Sequence, residues 1–278
     1  MAGRGRVSVG LAAWSCGLAL LVATGAQPER ASSQGSAIEV TRHRPASAPE
    51  APAGDGTITI VRVDLARYEL RVLTESHDGP RRPLSTWVRD EHLAGGINAG
   101  MFLPNGRACG FLRYRDDVRS ARRPGSFDGV LGFDPRGGGA ALVAGGAGCS
   151  RDFAAIERDF GSVILGRKLM IDCQGRATGW STRRFSAAAM GVDREGRAVF
   201  VHTRTAWRMA QLSTLLAAPE LGIRGLVYME GGPEASLIVD AEGQRVIEMG
   251  SWEDGFWEND GNHELWDLPN VIGFAPRR

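Results

Sequence analysis

Short apolar stretches separated by glycine-rich turns run through the chain from Thr57 to its end. Thr57 to Asp64 has the β-branched content of a strand, and Tyr68 to Leu73 offers its hairpin partner. Ser85 to Leu93 reads as a short helix ended by Gly95-Gly96, followed by a buried strand over Ile97 to Phe102. Phe111 to Arg115 and Val130 to Phe133 are further strands, Cys149 to Phe160 holds a short helix, and Ser162 to Ile171 reads as one irregular strand. The pattern then sharpens. Ala187 to Val192 and Ala198 to Thr203 form a hairpin across Asp193-Arg194-Glu195-Gly196, and Thr205 to Ala217 spaces Met209, Leu212, Leu215 and Leu216 as a helix does. Leu226 to Met229, a hairpin of Ser236 to Val239 with Arg245 to Glu248, and Val271 to Phe274 complete the series. This succession predicts an α+β fold with α/β-type layering: mixed, mostly antiparallel sheets with a few short helices in a single domain.

The region before Thr57 follows another pattern. Arg4 and Arg6 precede an apolar run from Val7 to Ala23, and Thr24-Gly25-Ala26 supplies a small-residue exit. That is the layout of a cleaved secretory signal peptide over 1–26, so export to the periplasm or the extracellular space is expected. Residues 27–56 are rich in Pro, Ala, Ser and Gly and read as a flexible linker, leaving 57–278 as the folded domain.

Charge narrows the partners. The formal net charge of +1 falls to −1 when Arg4 and Arg6 leave with the signal. A near-neutral chain gives no electrostatic case for nucleic acid or for an anionic membrane surface. Beyond the signal the cysteines are Cys109, Cys149 and Cys173. Export permits one bridge and a free thiol, and any of the three pairs can form it.

Three segments place polar groups and glycine beside apolar strands, where a strand delivers a side chain to a pocket mouth. Asn98 interrupts the run Ile97 to Phe102, and its amide either pins a neighbouring loop or donates to a ligand oxygen. Glu230 ends an apolar strand ahead of Gly231-Gly232-Pro233-Glu234, where glycine lets backbone amides approach a sugar or an anion. A carboxylate so placed suits a general base, a nucleophile or a stabiliser of positive charge. Arg183-Arg184, ahead of the strand Ala187 to Val192, has the chemistry of a bidentate phosphate clamp.

In this order, the segments resemble the phosphodiester glycosidase family, in an exported bacterial branch. Asn98-Ala99-Gly100-Met101-Phe102 is similar to the family's Asn-Gly-Gly motif, and Glu230-Gly231-Gly232 through Ser236 to its Asp-Gly-Gly motif followed by serine. Arg184 to Gly191-Val192-Asp193 resembles the arginine-led strand between them, and the likeness runs from Thr57 to Phe274. Two departures stand out: Ala99 replaces a glycine and Glu230 an aspartate, so the identity of the family's sugar does not transfer. The resemblance implies hydrolysis of a sugar C1–O–phosphate bond. It gives Glu230 the catalytic role of stabilising the cationic sugar or activating water, and makes Asn98 the second catalytic residue, positioning sugar or phosphate oxygens. Arg183 and Arg184 would hold phosphate, and Gly100, Gly231, Gly232 and Glu234 would line the substrate. No cofactor or metal is implied.

Two rival readings come from the residues themselves. Trp180, Trp207, Trp252, Trp257 and Trp266 can supply stacking faces for a non-catalytic carbohydrate-binding protein. The stretch Glu253-Asp254 to Glu258-Asn259-Asp260, with His263 and Glu264, can supply oxygen ligands for a metal-dependent phosphodiesterase. No nucleophile elbow, P-loop or dinucleotide fingerprint is present.

Overall fold

The strands predicted from apolar runs assemble into three antiparallel sheets in a computed structural model that describes residues 35–45 and 51–278. The first has the order β1 (Ile38–His43), β2 (Ile58–Val63), β13 (Ala198–Arg208), β12 (Arg184–Asp193), β14 (Ile223–Gly231) and β11 (Lys168–Ile171). The second runs β7 (Asp117–Ser120), β6 (Leu112–Tyr114), β10 (Phe160–Gly166), β8 (Gly129–Pro135) and β9 (Leu142–Gly146). The third runs β16 (Gln244–Met249), β15 (Ser236–Ala241), β5 (Gly95–Asn98), β18 (Asn270–Pro276) and β3 (Tyr68–Thr74). A two-stranded ladder of β4 (Arg82–Pro83) and β17 (Asp267–Leu268) lies apart from these. Ser36 to Arg278 forms one compact unit.

Alternation along the first sheet explains its place in the middle. Val61, Met190, Phe200 and Val227 enter a central core with Leu131 and Ile164 of the second sheet and Ile97, Leu237 and Phe274 of the third. Their neighbours Ile60, Ala189, Val201 and Leu226 point the other way and pack with Met209, Leu212 and Leu216 of helix α4 (Met209–Leu216). A period of two thus buries both faces of one sheet. The α/β-type layering is confined to one unit: β13, α4 and β14 make a crossover that spans β12. The short helices α1 (Glu75–Asp78), α2 (Leu84–Asp90) and α3 (Phe153–Asp159) complete the fold. Helix α3 is capped by Asp152, whose Oδ1 accepts the Ala155 N–H at 2.9 Å.

Several expectations are corrected. The segment read as linker contains β1, because Ile38 packs into the core and the strand pairs with β2 from Ile38↔Val63 to His43↔Ile58. The predicted signal peptide and the linker residues 27–34 and 46–50 lie outside the described residues. The helix predicted from Thr205 begins only at Met209, since pairing of Phe185 with Trp207 and of Arg184 with Arg208 keeps β13 extended. The single strand predicted over Ser162 to Ile171 is two strands in different sheets. At their junction a side chain on Gly166 would meet Val227 Cγ1 at 2.5 Å, so only glycine lets the chain turn the corner there. The strand predicted through Phe102 stops at Asn98, and Gly100 at φ +92° turns the chain aside.

Candidate active site

The end of β14 carries the candidate chemistry, and a bulge shapes it. Ala188 faces Glu230 while the adjacent Ala189 faces Tyr228, so Met229 is an extra residue on β14. Bulges of this kind re-aim side chains next to sites. Here Tyr228 and Glu230 both line one cavity of about 250 Å³, with Met101, Arg167, Trp180, Ser181, Arg183, Phe185 and Glu253. Trp180 meets Tyr228 edge-on at 4.7 Å between ring centroids, and Arg183 lies over the Phe185 ring at 5.0 Å. The cavity therefore offers an aromatic wall, two guanidinium groups and two carboxyl groups.

Glu234 adds a third carboxyl. After Glu230 the chain crosses Gly231 and Gly232, and Gly232 has φ +66°. A side chain at Gly232 would lie 2.9 Å from Glu253 Oε2 and 3.3 Å from Glu234 Oε2, so these carboxyls converge over a glycine that has nothing to place between them. A side chain at Gly231 would strike the Tyr228 hydroxyl. Both glycines are thus required sterically.

Burial raises the proton affinity of all three acids, and repulsion within the cluster adds to it at Glu230 and Glu234. Glu230 is pushed well above its ordinary value by burial first and by Glu234 next, with Glu253 adding to it, against the opposing Gly231 N–H at 3.2 Å. Glu234 rises from 4.5 to about 7, chiefly through burial, with Glu253 adding repulsion. Burial also raises Glu253, while Arg183 pulls it down. The half-buried, unbridged Cys109 thiol is pushed up by burial and then by Glu230, which places it near the same acid. A cluster of acids whose proton affinity is raised in this way has the makings of an acid–base site.

The loop bearing Glu253 is held by β12. Ser186 Oγ donates to the Arg204 carbonyl at 2.6 Å and accepts the N–H groups of Ser251 and Trp252 at 2.9 and 3.0 Å. Glu253 then bridges to Phe185 and to Trp257. Ser186→Ala would leave two buried N–H groups without their acceptor. It is expected to cost about 1–3 kcal/mol in urea unfolding and to lower whatever activity depends on Glu253.

The remaining expected site residues are placed as follows. Arg183 lines the cavity, and its guanidinium donates to the Asp254 carbonyl. Arg184 is not among the lining residues; its N–H donates to Asp254 Oδ2 at 2.7 Å, and the strand's alternation sends the next side chain, Phe185, to the cavity instead. Asn98 is 1% exposed and also absent from the lining; its Oδ1 accepts the Ser236 N–H at 3.2 Å, tying β5 to the end of the Gly232–Glu234 turn. Gly100 lies behind the cavity, where an added side chain would come within 3.9 Å of the Met229 carbonyl. Sequence reasoning missed Arg167 altogether, because it sits at the corner that the pattern had read as mid-strand. Glu253 had been read only as one of several metal ligands. Among the described residues no group of three or more His, Cys, Asp or Glu is arranged to hold a metal ion. Asp260 instead pairs with Arg204 at 2.7 Å, and Glu258 accepts the Gly255 N–H at 2.6 Å. Of the tryptophans, Trp180 reaches the cavity, whereas Trp207 is fully buried in the core.

His202 lies beneath the same turn. Its Nε2 is 3.2 Å from the Ala235 carbonyl, and burial lowers its value from 6.5 to about 4. Glu234 and His202 therefore drive stability in opposite directions with pH. Glu234, raised in the fold, contributes stability that is complete below 4.5 and lost as pH rises through about 7. His202, lowered in the fold, contributes stability that is present above 6.5 and lost as pH falls through about 4. Glu234→Gln should reduce the falling limb, to which Glu230 and Glu253 also contribute, and His202→Gln should reduce the rising one, in urea midpoints measured across this range.

Antiparallel sheets thus surround a cluster of acids with an aromatic wall and two arginines. The family described as phosphodiester glycosidase matches residues 92–275, and the chain belongs to it. Among solved structures, the catalytic domain of zebrafish N-acetylglucosamine-1-phosphodiester alpha-N-acetylglucosaminidase, auto-inhibited by its pro-peptide, superposes with a TM-score of 0.61 at 14% identity. That match covers 88% of this chain and 85% of that one. A hypothetical protein from Synechocystis gives 0.61 at 16% identity over 87% of this chain, which spans 62% of that protein. A putative exported protein from Burkholderia pseudomallei K96243 gives 0.51 at 11% identity, covering 79% and 74% of the two chains. These likenesses establish the shared fold. No curated protein matches the sequence.

Proposed function

We propose that this chain is an exported hydrolase that cleaves the sugar C1–O–phosphate bond of a glycosyl-1-phosphodiester. The observation that carries the reading is the convergence of two carboxyls of raised proton affinity with Arg167 and Arg183 around one aromatic-walled cavity. A phosphodiester is an anion, and it approaches three carboxyls only where protons lie between the charges. The raised values of Glu230 and Glu234 supply that condition, and the two arginines supply the attraction. Trp180 and Tyr228 form the face against which a sugar ring stacks.

The proton affinity of Glu230 changes the role first assigned to it. Glu230 enters the reaction protonated and gives its proton to the departing phosphate oxygen as the C1–O bond breaks. The carboxylate left behind faces the oxocarbenium-like sugar and stabilises it. Glu253, kept more acidic by Arg183, takes a proton from the water whose oxygen bonds to C1. Asn98 acts from behind the cavity, by holding Ser236 and with it the Glu234 turn.

The test is hydrolysis of a panel of sugar-1-phosphodiesters in ¹⁸O-labelled water, with and without chelator. Label in the sugar, in either condition, supports C–O cleavage. Label in the phosphate, lost on chelation, would replace the proposal with a metal-dependent phosphodiesterase. Saturable binding of the panel without turnover would replace it with a carbohydrate-binding protein.

A further inference from the structure

The cavity that holds Glu230 contains one polar group with nothing to do. Tyr228 lines it beside Glu230, Glu253 and Arg183, and the residue is only 5% exposed. Its hydroxyl makes no hydrogen bond among the described residues. Nor is that oxygen sealed in the interior: it keeps accessible surface, and the residue opens onto the cavity. A phenol so deeply placed ordinarily has a partner, and here the partner has to come from the cavity.

The ring cannot turn the hydroxyl elsewhere. Trp180 meets it edge-on at 4.7 Å and Phe185 lies tilted at 6.5 Å, and those two rings are themselves 6.3 Å apart. The hydroxyl comes to rest over Gly231, where an added side chain would strike it. The same Gly231 donates its N–H to Glu230 Oε1 at 3.2 Å. One glycine therefore touches both groups, and the phenol oxygen lies on the Glu230 side of the aromatic wall.

The hydroxyl acts as a donor. Burial holds its proton first, and repulsion from Glu230, Glu253 and Glu234 holds it further, against the pull of Arg183. A sugar hydroxyl brings its own donor, which the neighbouring carboxyls can accept. A phosphodiester brings acceptors only, two unbridged oxygens that share a negative charge. With Glu230 at the C1–O–phosphate link, the group of the ligand that falls beside Tyr228 and Arg183 is the phosphate. Charge on that phosphate grows as the C1–O bond breaks, so a donor fixed there does most in the transition state.

We propose that Tyr228 is a further catalytic residue of this site, its hydroxyl donating to an unbridged phosphate oxygen of the substrate. The inference rests on the phosphodiester reading above and adds to it a neutral donor beside the Arg183 guanidinium. Tyr228 keeps its proton throughout; the proton that reaches the departing oxygen is the one on Glu230.

The test is calorimetric titration of the full chain and of Tyr228→Phe with inorganic phosphate and, separately, with glucose, mannose, galactose and N-acetylglucosamine. Phenylalanine keeps the ring, so stacking of a sugar is preserved. Inorganic phosphate is expected to bind the parent saturably and Tyr228→Phe about 10-fold more weakly, the size of one hydrogen bond to a charged group. Sugar binding should be unchanged. The urea midpoint should not fall, because the hydroxyl holds nothing within the protein. On a hydrolysed diester, kcat should drop by about 10²–10³-fold, as on loss of an oxyanion donor. Unchanged phosphate affinity, or no phosphate binding by the parent, overturns the proposal. So does a loss confined to the sugars, which would place the hydroxyl at the ring instead, or a lower urea midpoint, which would make it structural. The two readings fail separately. Selective loss of phosphate binding without any hydrolysis in ¹⁸O water would remove the hydrolase and keep the contact, whereas undiminished turnover by Tyr228→Phe would remove the contact alone.

Discussion

Glu230→Gln is expected to lower turnover of a sugar-1-phosphodiester by about 10²–10⁴-fold, the range that a positioned acid or base contributes. Binding of the substrate should change little. Glutamine keeps the size of the side chain and leaves an oxygen for the Gly231 N–H, which reaches Glu230 Oε1 at 3.2 Å. What disappears is the proton that the buried carboxyl holds and the charge it exposes afterwards. Steady-state kinetics beside direct ligand titration separate the two effects. Parallel loss of binding and turnover would show that Glu230 only holds the ground state. The same substitution should raise the melting temperature at neutral pH. Burial and Glu234 make the ionised form of Glu230 unfavourable, and an amide has no charge to desolvate. A variant both inactive and less stable than its parent would contradict this account of the site.

Removing the disulfide is expected to have the second large effect. Cys149 and Cys173 are bridged across a sequence separation of 24, and Cys109 stays free. The chain-entropy relation for a loop of that size gives about 3–4 kcal/mol. Cys149→Ala with Cys173→Ala should lower stability by about that amount in urea unfolding, whereas Cys109→Ala should leave the midpoint nearly unchanged. The bridged loop contains α3, β10, Arg167 and β11. Loosening it should therefore weaken phosphodiester binding, through Arg167, more than a purely local cut would. Equal stability of the double variant and the parent would show that packing alone holds this loop.

Much of the fold could be read from pattern alone. Val199 to Val201 and Leu226 to Tyr228 send alternate side chains into two cores, and any sequence with that alternation becomes a strand between apolar layers. The strand β1 escaped notice because Ile38 and Val40 are its only large apolar residues amid Ala, Ser and Pro. Its pairing with β2 supplies the stability that its composition lacks. Trp207 was drawn into a helix by spacing, yet its cross-strand partner Phe185 keeps it extended. Local propensity yields where tertiary pairing offers more.

The candidate site divides in the same way. Glu230, Gly231 and Gly232 stood out in the sequence as an acid and two glycines at the end of an apolar run, and the structure places Glu230 in the cavity. The sequence by itself determined the strand content, the antiparallel tendency, the family likeness and this one segment, all of which depend on near neighbours along the chain. Only the tertiary structure decided that Arg167 rather than Arg184 accompanies Arg183, and that Glu253 faces Glu230 from 23 positions away. It alone selected Cys149 and Cys173 from three possible pairs, and it alone left the Tyr228 hydroxyl on the cavity wall without a partner among the described residues. Each of these outcomes turns on the burial of a group and on its distance from residues remote in sequence. Proton affinity and bond formation respond to position in space, which the order of residues constrains only after the sheets have closed around it.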